Sequence, residues 1–327
     1  MRFVIFGAGA VGGVIGGRLF QHGHEVVLIA RGAHGQAIAT DGLTLESADG
    51  AAALRIPVVE RADEITFDNH DVVVLATKSQ DTSPALEALA ATAPPTIAVV
   101  CAQNGVENER LALRSFANVY GMCVMLPATH LVPGLVQANS TPVSGLLDVG
   151  RYPSGVDGTA DDISAALAAS TFSSIPRPDV MRWKYCKLLM NLGNAIEAVC
   201  GLMAQSSPLF ERAKQEGTAC LRAAGIDFAS DEEDRARRGS LMQVRPIGGA
   251  RRGGGSSWQS LARGVGSIET AFLTGEIVML GRLWGVPTPV NEAVQQYATR
   301  MARTGAPPGS VPVAELLSAA GLTDAPG

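Results

Sequence analysis

The fold is decided by the stretch Met1-Arg-Phe-Val-Ile-Phe-Gly7-Ala-Gly9-Ala-Val-Gly12. Its apolar start is typical of a buried parallel strand. The three glycines have the Gly-x-Gly-x-x-Gly spacing that lets a backbone turn approach a pyrophosphate. Residues 13–21 have the length of a helix, whose free N–H groups at its start favour an anion, and Glu25-Val-Val-Leu-Ile-Ala-Arg31 supplies a second strand. Strand, turn, helix and strand within about 30 residues predict a dinucleotide-binding βαβ unit.

Arg31 indicates which dinucleotide binds. It ends the second strand, where an NAD-binding protein usually carries an acid that accepts hydrogen bonds from the ribose hydroxyls. An arginine there offers a planar, permanently charged fork for a 2′-phosphate. We therefore predict NADP(H), the alternatives being a glycine-rich turn without a nucleotide and a solvated surface arginine. The predicted cofactor-binding residues in this region are Gly7, Gly9, Ala10, Val11, Gly12 and Arg31.

Composition excludes several classes of protein. With 327 residues the chain exceeds the usual size of one core, so two domains are expected. Its net charge of −5 leaves no basic field for nucleic acid, and no apolar run approaches the roughly 18 residues of a membrane span. The N-terminus lacks a basic leader, and the five cysteines show no CxxC pair. These features predict a cytoplasmic protein with reduced thiols and no metal site.

Strands and helices alternate in the first half of the chain, which is typical of a doubly wound parallel sheet. From about Pro178 onward long helical patterns follow, with no convincing strand between them. The sequence predicts an α/β fold: a Rossmann-type NADP-binding domain at 1–177 and an all-helical substrate and catalytic domain at 178–327. Further strands are predicted at Asp71–Thr77, Thr96–Cys101, Val119–Leu126 and Gly145–Val149, and helices at Ser83–Thr92, Asp161–Ala169, Val180–Leu202, Leu209–Ala224, Ser257–Trp284 and Asn291–Thr304.

Two polar residues follow strands of the predicted sheet. Ligands in such folds bind at the carboxyl ends of the strands, so Lys78 and Asn104 could reach a cofactor or a substrate. The alternatives are a solvated loop lysine and an Asn-Gly turn without a further role.

The helical half contributes a second group of candidates. At about 100° per residue, Lys187, Asn191 and Asn194 share one face of an otherwise apolar helix, which is costly unless that face meets a cleft or partners. Ser257 and Glu269 fall in the predicted helix at Ser257–Trp284. From the pattern alone, Glu269 is better explained as a surface acid at the edge of an apolar stripe.

The ordered set of residues resembles the ketopantoate reductase family, NADPH-dependent enzymes of pantothenate biosynthesis that reduce 2-dehydropantoate to pantoate. Members carry the glycine turn, the arginine after the second strand, and a lysine and an Asn-Gly after later strands. In the helical half they carry Lys-Leu-x-x-Asn, which Lys187 and Asn191 match, and Ser-Ser with an acid twelve residues after the second serine, which Ser257 and Glu269 match. The resemblance implies a helical domain of the 6-phosphogluconate-dehydrogenase type.

The resemblance also implies roles for these residues. Lys187 is the general acid that protonates the keto oxygen, and Glu269 orients it and holds the hydroxyl end of the substrate with Ser257. Asn191 and Asn194 bind polar groups of the substrate. Asn104 contacts both the carbonyl and the nicotinamide, and Lys78 lies near cofactor phosphate or substrate. The substrate is expected between the two domains.

The chain departs from the family pattern in ways that leave the substrate open. Ala195 stands where members usually have a second asparagine, so Asn194 is the expected substitute. Residues 235–255 are rich in arginine and glycine and suit either a solvated, mobile loop or a lid that presents arginines. The alternative functions are reduction of a different 2-keto acid or an imine, and redox sensing through NADP(H) without turnover. Exposed apolar positions in the helical half are compatible with a homodimer.

Overall fold

The structure is a computed structural model, and it describes residues 1–249, 253–264 and 266–322. The chain forms two compact units. The first comprises Met1–Lys184 with Ser230–Arg252, and the second Tyr185–Ala229 with Gly253–Gly327. The predicted division into 1–177 and 178–327 does not include this return of the chain to the first unit.

Among the residues that the structure describes, the strands all lie in the first unit. In chain order they are β1 (Arg2–Phe6), β2 (Glu25–Ile29), β3 (Leu43–Ser47), β4 (Gly50–Leu54), β5 (Val58–Val59), β6 (Asp71–Leu75), β7 (Ala98–Cys101), β8 (Asn118–Met125), β9 (Ala128–Thr129), β10 (Leu135–Ala138), β11 (Ser140–Pro142), β12 (Gly145–Arg151), β13 (Phe172–Ser173) and β14 (Met242–Val244).

The helices are distributed over both units. In chain order they are α1 (Ala10–Gln21), α2 (Gly32–Asp41), α3 (Thr82–Ala90), α4 (Asn108–Ala112), α5 (Gly158–Ala168), α6 (Val180–Cys200), α7 (Pro208–Ala223), α8 (Asp231–Arg238), α9 (Ser256–Ala262), α10 (Thr274–Trp284), α11 (Pro289–Thr304) and α12 (Val313–Ala319). Short 3₁₀ turns lie at Ala62–Glu64, Ser79–Asp81, Leu202–Ser206 and Glu269–Phe272.

An eight-stranded sheet in the order β13-β12-β8-β7-β6-β1-β2-β5 organises the first unit. Its neighbouring strands run parallel except β12 and β8, which are antiparallel. The strand order reverses at β1, between β6 and β2, and this is where a doubly wound sheet opens a crevice at its carboxyl edge. The predicted fold class is confirmed.

Alternating side chains of the central strand explain why helices cover both faces of the sheet. In β1, Phe3 and Ile5 enter one apolar cluster with Leu19 of α1, and Val4 enters another with Leu89 of α3. A parallel strand buried on both faces is continuously apolar for this reason, as the sequence pattern indicated.

Among the described residues of the second unit, all regular secondary structure is helical, and α10 packs against both α7 and α11. Glu216 of α7 accepts hydrogen bonds from the backbone N–H groups of Val290 and Asn291, at 2.9 and 3.0 Å. A carboxylate thus satisfies the free donors at the start of α11.

The single helix predicted at Ser257–Trp284 is wrong. The chain forms α9, the 3₁₀ turn Glu269–Phe272 and α10 in its place. Gly264 and Gly266 have φ of +63° and +72°, so the backbone leaves the helical region between α9 and the turn. Val265, part of the apolar stripe expected beside Glu269, lies outside the described residues.

The prediction that no strand follows Pro178 is also wrong, because β14 pairs with β11. The segment containing α8 and β14 is attached to the first unit by Arg237, which donates to both oxygens of the buried Asp148 at 2.6 and 2.8 Å. Arg238 forms an ion pair with Asp234 one turn earlier. A solvated, mobile loop does not describe this part of residues 235–255, and Arg251 and Arg252 lie outside the described residues.

Within the described part of the chain, no helix combines the length and the apolar character needed to cross a membrane.

Candidate active site

The glycine turn lies at the carboxyl end of β1, where the strand order reverses. Gly7 has φ of +99°, and a Cβ at Gly12 would stand 2.1 Å from the Gly7 carbonyl oxygen, so both positions require glycine. A Cβ at Gly9 would meet no atom within 4 Å, so the space in front of this residue is open. Since α1 begins at Ala10, the N–H groups of Ala10, Val11 and Gly12 have no partner within the helix. The turn fits a diphosphate.

Arg31 caps the start of α2 with its backbone and projects its side chain toward a cavity of about 420 Å³. Its guanidinium is exposed and makes no hydrogen bond or ion pair with any residue that the structure describes. Phe6 and Ala85 give the cavity an apolar wall. Arg61, which forms an ion pair with Asp63, adds a second positively charged side chain to the lining. An apolar wall beside an unpaired guanidinium fits an adenosine that carries a phosphate.

A buried polar network ties together the two loops that carry Lys78 and Asn104. The Gln103 amide donates to the Thr77 carbonyl at 2.9 Å and to the Thr82 hydroxyl at 2.8 Å. That hydroxyl donates to Asn108 at 2.8 Å, and the Asn108 amide donates to the Asn104 carbonyl at 3.1 Å. These bonds hold the loops after β6 and β7 together. Lys78 and Asn104, one on each loop, are both half-buried, and the Ser79 hydroxyl beside Lys78 donates to the Asn104 carbonyl.

Lys184 anchors the same region from α6. Its ammonium lies 2.5 Å from Glu109 and donates to the Gln103 carbonyl at 2.9 Å and the Met122 carbonyl at 3.3 Å. The lysine side chain is 2% exposed and the glutamate is fully buried. Burial raises the pKa of Glu109, and the charge of Lys184 opposes that rise. This lysine, which the family motif passes over, is an internal counter-ion.

In the second unit, α6 carries the predicted asparagines on one face. Asn191 is 1% exposed, and Asn194 donates its amide to the Asn191 side-chain oxygen at 3.3 Å. Lys187, one turn before Asn191, is half-buried. Ala195, where the family has its second asparagine, is fully buried. Asn194 is therefore the residue that pairs with Asn191.

The chain entering α9 approaches α6 closely. The Gly255 N–H donates to the buried carboxylate of Glu197 at 2.9 Å. A Cβ at Gly254 would be 2.6 Å from that carboxylate, and one at Gly255 would be 3.0 Å from the Asn194 oxygen. The two glycines thus allow the start of α9 to pack against the asparagine face.

Ser257 lies two residues after Gly255, in the first turn of α9. It is 1% exposed, and its hydroxyl has no hydrogen-bond partner among the described residues. A buried hydroxyl without a partner is costly, so a ligand that satisfies it would bind favourably.

Glu269 opens the 3₁₀ turn before α10 and is 7% exposed. The interpretation as a surface acid is therefore wrong. The adjoining Thr270 is 1% exposed, and its hydroxyl too has no partner in the described part of the chain.

Three polar residues near the candidates, Glu197, Gln103 and Asn108, are not among the predicted site residues. Glu197 follows Asn194 by three positions on an otherwise apolar helix, a spacing that would have placed it beside that face. Gln103 and Asn108 lie on either side of Asn104 in the sequence. Their hydrogen-bond network forms only because β6 and β7 are neighbours in the sheet, and this neighbourhood cannot be inferred from a local sequence pattern.

Two family models match the chain. Residues 3–153 match the model described as ketopantoate reductase PanE/ApbA, and residues 179–302 match the model of its C-terminal part. A 2-dehydropantoate 2-reductase of Mesorhizobium japonicum is 30% identical over 331 residues, covering 92% of this chain and 98% of that protein.

Solved structures show the same fold. A PanE/ApbA family ketopantoate reductase of Ralstonia eutropha aligns with a TM-score of 0.77 at 26% identity, covering 93% of this chain and 99% of that one. A D-mandelate dehydrogenase solved with NADH and anilino(oxo)acetate aligns with a TM-score of 0.78 at 22% identity, with the same coverage. At that identity the second likeness concerns the fold alone.

Proposed function

The chain belongs to the ketopantoate reductase family of oxidoreductases, and on that premise we propose that it reduces 2-dehydropantoate to pantoate with NADPH. The observation that carries the proposal is the Ser257 hydroxyl, buried and without a partner at the position where the family motif has its second serine. Neither dinucleotide binding nor the packing of α9 needs a polar atom there, whereas a hydroxylated substrate does.

The first unit would hold the cofactor. The free N–H groups at the start of α1 would bind the diphosphate, and the open space at Gly9 allows its approach. The unpartnered guanidinium of Arg31 would bind the 2′-phosphate. Asn104 and Lys78, fixed by the network around Gln103, would contact the nicotinamide end and the substrate.

The helical unit would supply the acid. When bound, NADPH provides the hydride, so negative charge develops on the keto oxygen of the substrate. We assign to Lys187 the stabilisation of that charge and the transfer of its Nζ proton to the oxygen. Glu269 would orient Lys187 and, with Ser257, hold the hydroxyl end of the substrate. Asn191, whose own side-chain oxygen accepts from Asn194, would bind the substrate's polar groups in a fixed orientation.

The test is the loss of nicotinamide absorbance with 2-dehydropantoate and a panel of other 2-keto acids and imines. We expect the highest kcat/KM with 2-dehydropantoate. If another 2-keto acid is turned over and 2-dehydropantoate is not, the proposed substrate is wrong. Binding of NADPH without turnover of any compound would favour a redox sensor.

Arg31→Ala is expected to weaken NADPH binding about tenfold to hundredfold, because hydrogen bonds to a charged group contribute about 1.5–3 kcal/mol. The affinity for NADH, which lacks the 2′-phosphate, should change little. Dissociation constants from fluorescence titration measure both effects.

Arg61→Ala is the matched control, since this arginine lines the same cavity but is engaged by Asp63. We expect a smaller loss for NADPH than with Arg31→Ala. Equal losses of NADPH and NADH in Arg31→Ala would contradict the assignment of the phosphate.

A further inference from the structure

His34 of α2 connects three segments of the first unit through its imidazole. Its Nε2 lies 2.8 Å from the carbonyl oxygen of Ala8, inside the glycine turn. The backbone N–H of Gly134, in the turn before β10, donates to its Nδ1 at 2.9 Å. The ring of His130 from the same turn packs on it, with centroids 4.1 Å apart. The function proposed above uses none of these contacts.

The two hydrogen bonds determine the form of the ring. Because Nδ1 accepts from Gly134, the single proton of the neutral imidazole is on Nε2, which therefore donates to Ala8. Burial lowers the pKa of His34, in agreement with a neutral ring.

The bond to Ala8 acts on the peptide that joins Ala8 to Gly9 within the glycine turn. In a trans peptide the carbonyl and the following N–H point in opposite directions. Fixing the Ala8 carbonyl therefore fixes the direction of the Gly9 N–H. That N–H has no hydrogen-bond partner among the described residues, and the space that a Cβ of Gly9 would occupy is open.

His34 also lies three residues after Arg31, at the third position of α2. Its side chain thus joins the start of the helix that presents the arginine to the turn that presents the amides. We propose that His34 is a positioning residue for the dinucleotide, which holds the Gly9 N–H toward the diphosphate. The inference rests on the proposed binding of NADP(H).

Two variants separate the two hydrogen bonds. His34→Gln places an N–H near the position of Nε2 and can still donate to Ala8. His34→Asn places an oxygen near the position of Nδ1 and can still accept from Gly134, but it loses the bond to Ala8. We expect His34→Asn to weaken both NADPH and NADH about threefold to tenfold, the worth of one neutral hydrogen bond, and His34→Gln to stay near wild type.

Calorimetric titration with NADPH and NADH measures these constants, and thermal unfolding without nucleotide measures stability. Equal affinities of His34→Asn and wild type, or equally weak binding by both variants, would overturn the proposal. So would affinity losses that follow the melting temperatures of the two variants, since that is the behaviour of a merely structural contact. Arg31→Ala serves as reference, because its loss should be confined to NADPH. If wild type binds neither nucleotide, the proposed function fails; if wild type binds and the variants match it, only the role of His34 fails.

Discussion

Lys187→Ala is expected to lower kcat for the keto acid about 10²–10⁴-fold, the usual contribution of a positioned general acid. The side chain is half-buried one turn before the buried Asn191, so its removal leaves the helix intact and takes away the only proton donor assigned to the keto oxygen. Steady-state rates of NADPH oxidation at saturating substrate measure the effect.

The affinity for NADPH should not change in Lys187→Ala, because the residues proposed to bind the cofactor lie in the first unit. Lys187→Arg keeps the positive charge but not the acid, since a guanidinium does not release its proton near neutral pH. We expect this variant to retain substrate affinity and to remain slow. Full activity in Lys187→Ala would remove the lysine from the mechanism, and full activity in Lys187→Arg would reduce its role to electrostatics.

Local patterns were sufficient to predict the parts of the molecule that are continuous in sequence. The glycine turn, the strands on both sides of it and the helix that carries Lys187 and Asn191 all follow from short-range periodicity and turn chemistry. The break after α9 was predictable in principle, because Gly264 and Gly266 stand inside the supposed helix.

The remaining features depend on contacts between distant segments. The pairing of β14 with β11 and the ion pair of Arg237 with Asp148 bring α8 into the first unit. The apolar stripe placed Glu269 on the surface of a single long helix, whereas the chain forms a 3₁₀ turn there, which contacts α10 and α11, and the side chain is buried. Polar networks such as that of Gln103 exist only once β6 and β7 are neighbours.

Lys184→Met is expected to lower the free energy of unfolding by about 3–5 kcal/mol, the cost of leaving one member of a buried ion pair without its partner. Glu109 is fully buried, and the lysine also donates to backbone carbonyls at the end of β7, in the loop that follows it and in β8. Urea denaturation of both proteins measures the difference.

The pH dependence of that difference tests the cause. Without the ammonium, the pKa of Glu109, already raised by burial, should rise further above its unfolded value. A raised pKa contributes stability that is fully present below the unfolded value and lost as the pH rises through the folded value. The stability loss of Lys184→Met should therefore shrink in mildly acidic solution and grow toward alkaline pH.

Combining Lys184→Met with Glu109→Gln should recover part of the lost stability and abolish its pH dependence. The carbonyls that accepted from Lys184 would still lack their donor, so the recovery should be incomplete. If the loss of unfolding free energy in Lys184→Met does not depend on pH, it results from the unsatisfied carbonyls and from packing. The ion pair with Glu109 would then contribute nothing measurable to the stability of the fold.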